Sequence, residues 1–294
     1  MSAGVGSMLA RCGAKLMLIG LALAAQAAEP IQSGAQIAII IDDVGYNLAL
    51  GRRAAELPGA YTLALLPDTP HSQSLAEYGQ KHGKELMLHL PMASERGLPL
   101  GPGGLEVDMP RRPLLHSLRA SLDSLPAIVG VNNHMGSALT VRARPMGWVM
   151  GELRRRGLFF IDSRTTAASV AKQVAQHYGV KAIQRDVFLD HQRDTGHIRQ
   201  QLLHALQLAQ QRGSAVAIAH PYPETLALLE QAEAMFDGAA VQLVSASALV
   251  RRPPVYRGYC PSPPRYLRAY YPPSDAVKPL VANGHWWNWK SLID

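Results

Sequence analysis

Ile37-Ala38-Ile39-Ile40-Ile41-Asp42-Asp43-Val44-Gly45-Tyr46 sets the reading of the whole chain. A short apolar run rich in β-formers, Ile37 to Ile41, ends abruptly in two carboxylates, and helix-like sequence begins at about Asn47. The same unit then recurs. Tyr61 to Leu66 precedes a helix from about Ser72. Glu85 to Leu90 precedes a Pro/Gly-rich loop, Pro91 to Pro110, and a helix near Arg112 to Asp123. Further apolar runs lie at Ala127–Val131, Leu158–Ile161, Lys181–Gln184, Ala215–Ala219 and Val241–Val244. Helical stretches fall near Pro145–Arg156, Thr166–Tyr178, Ile198–Arg212 and Pro223–Ala234. Short continuous apolar strands that alternate with helices imply a parallel sheet covered on both faces. Seven or eight such units fit a closed or nearly closed β/α barrel. The competing arrangement is an open doubly wound sheet. No glycine-rich phosphate fingerprint follows the first strand, which counts against a dinucleotide fold.

The ends of the chain differ from this body. Arg11 and Lys15 precede an apolar run, Leu16 to Ala25, and Ala25-Gln26-Ala27 supplies small residues for cleavage. That pattern reads as a secretory signal over residues 1–27, with an uncleaved anchor as the alternative. A periplasmic or secreted location follows. The body is expected over 28–250. From Arg251 to Asp294 the texture changes to eight of the 21 prolines, three of the four tryptophans and five tyrosines. This tail is expected to be irregular, and its cationic, aromatic character would suit contact with a glycan or an envelope surface.

The formal net charge of +7 belongs to these ends. Two of the 29 basic residues lie in the signal. Seven basic and two of the 22 acidic residues lie from Arg251 onward, which leaves 20 of each sign between. A neutral body without basic blocks argues against nucleic acid as a partner. Cys12 falls in the signal and leaves Cys260 as the sole thiol beyond it, so no intramolecular disulfide is expected after cleavage.

Nearly every polar group of chemical interest falls directly after an apolar run. These are Asp42 and Asp43; Asp68 and His71; His89; Asn132, Asn133 and His134; Asp162 and Arg164; Arg185, Asp186 and Asp190; and His220. In a β/α barrel those ends converge on one face, where active sites sit. Adjacent carboxylates such as Asp42 and Asp43 push their pKa values apart, which suits one metal ligand and one general base. The alternative is an Asp that caps the next helix. Asp43, His89 and His134 would make a two-His, one-carboxylate site, leaving positions open for water and substrate as a catalytic Zn²⁺ requires. His220 would serve as a proton donor. Arg164 would steady a developing oxyanion or hold a sugar or carboxylate, or else pair with Asp162 or Asp186. Asp186 and Asp190 would orient histidines. Asn133 and Asp162 are further supporting or substrate-binding candidates. No Gly-x-Ser-x-Gly elbow accompanies Ser137 or Ser163, which disfavours a serine hydrolase.

Together, Ile39-Ile40-Ile41-Asp42-Asp43-Val44-Gly45-Tyr46, Leu65-Leu66-Pro67, His89-Leu90-Pro91-Met92, Gly130-Val131-Asn132-Asn133-His134-Met135-Gly136-Ser137, Phe160-Ile161-Asp162-Ser163-Arg164-Thr165 and Arg185-Asp186-Val187-Phe188-Leu189-Asp190 resemble the divergent polysaccharide deacetylase family. The resemblance covers about Ile37 to Val250. It implies an irregular seven-stranded β/α barrel, usually exported by Gram-negative bacteria. Better-studied polysaccharide deacetylases remove acetyl groups from N-acetylated sugars with a metal held by one Asp and two His. By that resemblance Asp42 is the base, Asp43, His89 and His134 are the ligands, and His220 is the acid. One departure stands out. Those enzymes take both ligand histidines from one short helical-spaced motif that this chain lacks, and His82 and His89 are too far apart to replace it. The second ligand therefore falls to His134.

The expected function is an exported hydrolase, dependent on a divalent metal such as Zn²⁺, acting on an acetylated glycan or peptidoglycan-type substrate. Two alternatives belong to other classes: a non-catalytic glycan-binding or envelope-assembly protein that keeps the barrel, and another metallohydrolase such as a phosphoesterase.

Overall fold

The isoleucine-rich run forms β1 (Ala35–Val44), an interior strand of a curled parallel sheet. The computed structural model describes residues 34–251, together with Met1. The expected signal segment and the proline-rich tail therefore lie outside the described residues. Among the described residues, no helix is long and apolar enough to cross a membrane.

Eight further strands follow: β2 (Thr62–Leu65), β3 (Glu85–Met92), β4 (Gly130–Met135), β5 (Phe159–Asp162), β6 (Ala182–Gln184), β7 (Val187–Phe188), β8 (Ser214–Ala219) and β9 (Val241–Leu243). Their order is β6-β5-β4-β3-β2-β1-β8-β7, and every pairing is parallel. The ninth strand joins the first residues of β1, while β2 joins its later ones. The two ends of the path, β6 and β7, are consecutive in the chain. Arg185 and Asp186 link them: the Arg185 N–H bonds to Asp162 O on the β5 side, and the Asp186 N–H bonds to Val216 O on β8. The sixth expected strand, Lys181–Gln184, is found as β6, and β7 is a short additional strand that the sequence did not predict, so the path counts eight strands where the resemblance implied seven. The α/β barrel-like architecture is otherwise as the sequence implies.

Helices α1 (Leu48–Glu56), α2 (Ser72–Lys81), α3 (Arg111–Asp123), α4 (Ala143–Arg156), α5 (Ala171–His177), α6 (Thr195–Arg212), α7 (Pro223–Leu229), α8 (Glu233–Gly238) and α9 (Ala246–Arg251) complete the chain. Local chemistry sets several of their ends. The Asn47 side chain accepts the Leu50 N–H, the Asp194 side chain accepts the His197 N–H, and left-handed Gly157 terminates α4. Two expected helices are shortened. Residues 166–170 form turns because the Asp162 carboxylate holds the Arg164 N–H and the Ser169 hydroxyl. The stretch after β8 splits into α7 and α8. In the long loop after β3, Leu105 is fully buried and pairs with Pro91 and Ala93 through backbone hydrogen bonds.

Strand parity separates two apolar clusters. Ile37, Ile39 and Ile41 belong to the large cluster that includes Leu75, Leu114, Val149, Val174 and Leu206 of the helices. Ala38 and Ile40 belong to a smaller one with Ala64, Met87, Ile161, Val216 and Ile218, the opposite faces of neighbouring strands. Leu249 and Val250 of α9 join this inner cluster. Since side chains alternate along a strand, the inner register continues upward to Asp42, His89, Asn132, His134, Ser163, Arg185 and His220. The fold therefore stacks a polar layer on top of an apolar plug.

Candidate metal centre and its surroundings

The strand ends are bent as well as polar. Among the described non-glycine residues, six have positive φ, and four of these lie just at or beyond a strand end: Asp43 (57°), Asp68 (49°), Met135 (53°) and Arg164 (45°). Such backbone costs energy and concentrates at functional sites. For Asp43 the consequence is direct. Its odd position matches Ile39 and Ile41, which face the helices, but the left-handed turn accompanies a carboxylate that lies against the inner histidines. Gly45, at φ 149°, has no room for a Cβ beside Thr69 and Ser72, so the turn after Asp43 is tightly specified.

Asp43 Oδ1 lies 3.1 Å from His89 Nε2 and 2.9 Å from His134 Nδ1, and the two ring nitrogens are 3.2 Å apart. Asp43 Oδ1 is nevertheless buried without a well-directed hydrogen bond. An orphaned carboxylate oxygen in a near-equilateral triangle with two imidazole nitrogens fits donors converging on one cation. Ligands each about 2.0–2.2 Å from a single ion sit roughly 3–3.5 Å apart. Among the described residues this trio is the one cluster of metal-binding groups with that closeness. Burial by itself would raise the Asp43 carboxyl, but His134 and His89 outweigh it and hold the group far below the usual carboxylate range.

Asn132 ties the base candidate to the ligand set. Its Nδ2 donates to Asp42 Oδ1 at 2.7 Å, which leaves its Oδ1 to accept from His89 Nδ1 at 2.8 Å. His89 must then carry its proton on Nδ1 and present the Nε2 lone pair to the cluster, a common tautomer lock for a metal ligand. Asp42 is almost wholly buried, 2% exposed, and its other oxygen is 3.6 Å from His89 Nε2. Burial pushes its pKa up against the opposing pull of His89, His220 and Asn132. Burial would lower the pKa of His89, but Asp42 and then Asp43 raise it.

His220 approaches the other oxygen of Asp43, with Nε2 3.8 Å from Asp43 Oδ2. Its Nδ1 lies 2.8 Å from Asp190 Oδ1, and its backbone N–H donates to Asp190 Oδ2 at 2.6 Å. The Thr225 hydroxyl adds a third bond to the same fully buried carboxylate. Burial works against the imidazolium, but Asp190 prevails and lifts His220 to about 9. Aromatic faces fix the ring plane. Phe188 stacks near it with centroids 6.1 Å apart and Tyr222 with centroids 5.4 Å apart, with Arg185 over Phe188 and Arg193 over Tyr222.

The geometry brings Asp42, Asp43, His89, His134, Asp190 and His220 together. Asn133 and Asp162 occupy the outward register and brace loops instead: Asn133 accepts the Ser163 N–H and donates to Met135 O. Among the described residues Asp186 contacts no histidine; it accepts the Val216 N–H and pairs with Arg212. Arg164 forms no ion pair with Asp162 or Asp186, although its N–H bonds to Asp162. The residue most undervalued by sequence reasoning is Asn132. The signal for it was present, since Asn132 and His134 share a strand face while Asn133 points the other way.

The chain belongs to the divergent polysaccharide deacetylase family, whose pattern it matches over residues 39–250. It is 38% identical over 227 residues to the uncharacterized protein YibQ of Escherichia coli K12, covering 77% of this chain and 70% of that one. An uncharacterized protein of Haemophilus influenzae is 33% identical over 195 residues, covering 66% and 70%. The crystal structure of uncharacterized protein ATU2773 from Agrobacterium tumefaciens C58 superposes with a TM-score of 0.71 at 24% identity, covering 74% of this chain and 89% of that one.

Proposed function

We propose that this protein is an exported, Zn²⁺-dependent hydrolase that removes acetyl groups from a glycan of the cell envelope. The observation that carries the reading is the orphaned Asp43 Oδ1 within about hydrogen-bond distance of two histidine nitrogens, beside a buried Asp42 and a carboxylate-bound His220. Membership of the deacetylase family supports the acetyl substrate. Asp43, His89 and His134 would hold the ion, and a borderline-soft donor set of two imidazoles and one carboxylate suits Zn²⁺. When bound, the ion would polarise the acyl carbonyl and acidify water.

The chain's own groups account for the proton movements. Asp42, anchored by Asn132, has one carboxylate oxygen left to accept a proton from the attacking water. Its raised pKa makes it a better base than an exposed aspartate. The water oxygen bonds to the acetyl carbon. His220 Nε2 then gives a proton to the departing sugar nitrogen or oxygen as the C–N or C–O bond breaks, leaving acetate and the free amine or alcohol. Asp190 keeps His220 Nδ1 protonated, so that Nε2 is the atom aimed at the site. The apolar plug below and the stacked rings beside His220 limit water to the open face.

The test has two stages. Elemental analysis of the purified chain is expected to give about one metal per molecule, lost in His89→Ala and His134→Ala. Acetate release from acetylated glycans is then expected, and it should fall by about 10²-fold or more in Asp42→Asn and His220→Ala. No metal uptake even with added Zn²⁺ would sink the mechanism. Metal binding and glycan binding without acetate release would instead favour the non-catalytic glycan-binding reading.

A further inference from the structure

Arg185 is used by none of the steps above, yet it lies in the polar layer. It continues the inward register of Ile183, which packs against the inner cluster. Its guanidinium lies 3.8 Å from the centroid of Phe188, the ring that stacks on His220. Its Nε donates to Ser163 O at 2.7 Å and its Nη2 to Arg164 O at 2.9 Å. Those partners are neutral carbonyls, and they use two of the five N–H donors a guanidinium offers.

Its charge is therefore unmatched. Among the described residues, neither Arg185 nor Arg164 has a carboxylate within ion-pair distance. The nearby acids are committed elsewhere: Asp162 to the Arg164 N–H and the Ser169 hydroxyl, Asp186 to Arg212 and the Val216 N–H, Asp42 to Asn132. Burial, and then the like charge of Arg164, pull the Arg185 guanidinium below its usual range. Two half-buried cations set side by side are costly unless an anion completes them. Arg164 is moreover kept in a left-handed backbone, with its N–H bound by Asp162 and its carbonyl by Arg185. Between them, the Ser163 hydroxyl is buried without a partner and shares the inward register of Ile161.

We propose that Arg164, Arg185 and the Ser163 hydroxyl form a subsite for a carboxylate carried by the substrate sugar, so that the glycan is an acidic one. The inference rests on the glycan-hydrolase reading for its setting but on binding alone for its test. A planar carboxylate matches the guanidinium fork. A doubly charged phosphate fits less well, because Asp42, Asp162 and Asp186 all act on Arg185 from a distance.

Calorimetric binding to the full Zn²⁺-loaded chain separates the possibilities. Glucuronate and glucose differ at one carbon, and neither has an acetyl group to turn over. Glucuronate is expected to bind at least about tenfold more tightly than glucose, and more tightly than glucose 6-phosphate. Arg164→Gln should abolish that advantage while glucose binding and melting temperature hold, and Arg185→Lys should abolish it too, with some loss of melting temperature from its two carbonyl bonds. Arg185→Lys keeps the charge but loses the fork and its two carbonyl bonds. Should that variant fail to fold, Arg164→Gln decides the matter, because among the described residues the Arg164 side chain makes no hydrogen bond or ion pair that holds the loop. Equal binding of the two sugars, tighter binding of the phosphate, or a preference that survives both substitutions and disappears with the metal would overturn the proposal. Acetate release plays no part in this measurement, so a failed deacetylase reading would leave its result intact.

Discussion

Replacing Asp190 by Asn tests how His220 is held. The Asp190 side chain is fully buried and accepts from the His220 N–H, from His220 Nδ1 and from the Thr225 hydroxyl. An amide of the same shape carries no charge and offers one acceptor oxygen, so at least one of those donors loses its partner. Removing a buried charged acceptor in this way costs about 2–4 kcal/mol. The charge component has a defined pH dependence. The folded pKa of His220, about 9, stands above its unfolded value of 6.5, so the contribution is complete below about pH 6.5. It fades as pH rises through about 9. With roughly 1.4 kcal/mol per pH unit, that component amounts to about 3 kcal/mol in the metal-free protein. Asp190→Asn is therefore expected to lower the melting temperature by about 4–16 °C at pH 6, and by clearly less at pH 10. In parallel, the His220 imidazole resonance of metal-free variant should titrate well below 9. An equal loss of stability at both pH values, or an unmoved His220 titration, would refute the claim that the Asp190 charge holds this ring.

Other outcomes follow from the same geometry. Chelation should lower the melting temperature of the parent chain, and Zn²⁺ should restore it, while His134→Ala responds to neither. Asn132→Leu should cost metal affinity about 10–100-fold without touching a ligand, because it frees the His89 ring and leaves Asp42 Oδ1 without its donor; titration with a zinc indicator measures this. Buried Glu152 on α4 receives Arg119 of α3 together with Arg155 and Arg156, and chiefly the Arg155 bond holds its carboxyl down to about 2. Its depressed pKa contributes stability above about pH 4.5 that is lost as pH falls toward 2. Glu152→Gln should thus cost about 2–3 kcal/mol at pH 7, allowing for the half-exposed Arg119 and Arg155, and the difference should narrow in acid unfolding curves. Gly130→Ala would put a Cβ 2.4 Å from the Phe159 ring at the base of β4, and denaturant titration should find it destabilised by about 1–3 kcal/mol.

Hydrophobic runs placed the strands well because β1 to β5 and β8 are mostly buried on both faces, so their apolar signal is continuous and its ends are sharp. Where the pattern misled, a side chain had overridden propensity. Residues after β5 read as a long helix, but the Asp162 carboxylate captures the Arg164 N–H and Ser169 hydroxyl and winds the chain into turns first. Likewise, Val187-Phe188 is too short to register as a strand by composition. It pairs with β8 because Arg185 and Asp186 carry the chain from one edge of the sheet to the other.

The site was legible in a different and more limited way. Position after a strand identified nearly all of its members, yet position alone cannot say which of three neighbours faces inward. Parity can, provided the inner register is known: Ala38, Met87, Ile161, Ile183 and Ile218 fix it from the apolar side, and it assigns Asn132, Ser163 and Arg185 to the interior while sending Asn133 and Asp162 out. The same rule applied to Asp43 gives the wrong answer. Its carboxylate reaches His89 and His134 only because the backbone there turns left-handed, at φ 57°. That conformation is unfavourable for an aspartate and leaves no periodic trace, so it must be sustained by tertiary contacts, with Gly45 wedged against Thr69 and Ser72. The rings around His220 are equally silent in the sequence, because Phe188 and Tyr222 come from different segments and become partners only when β7 and β8 are side by side. What the residue types disclose is therefore the inventory of the chemistry. Which atoms converge is decided by backbone turns that the alternating pattern forbids and only the assembled fold can impose.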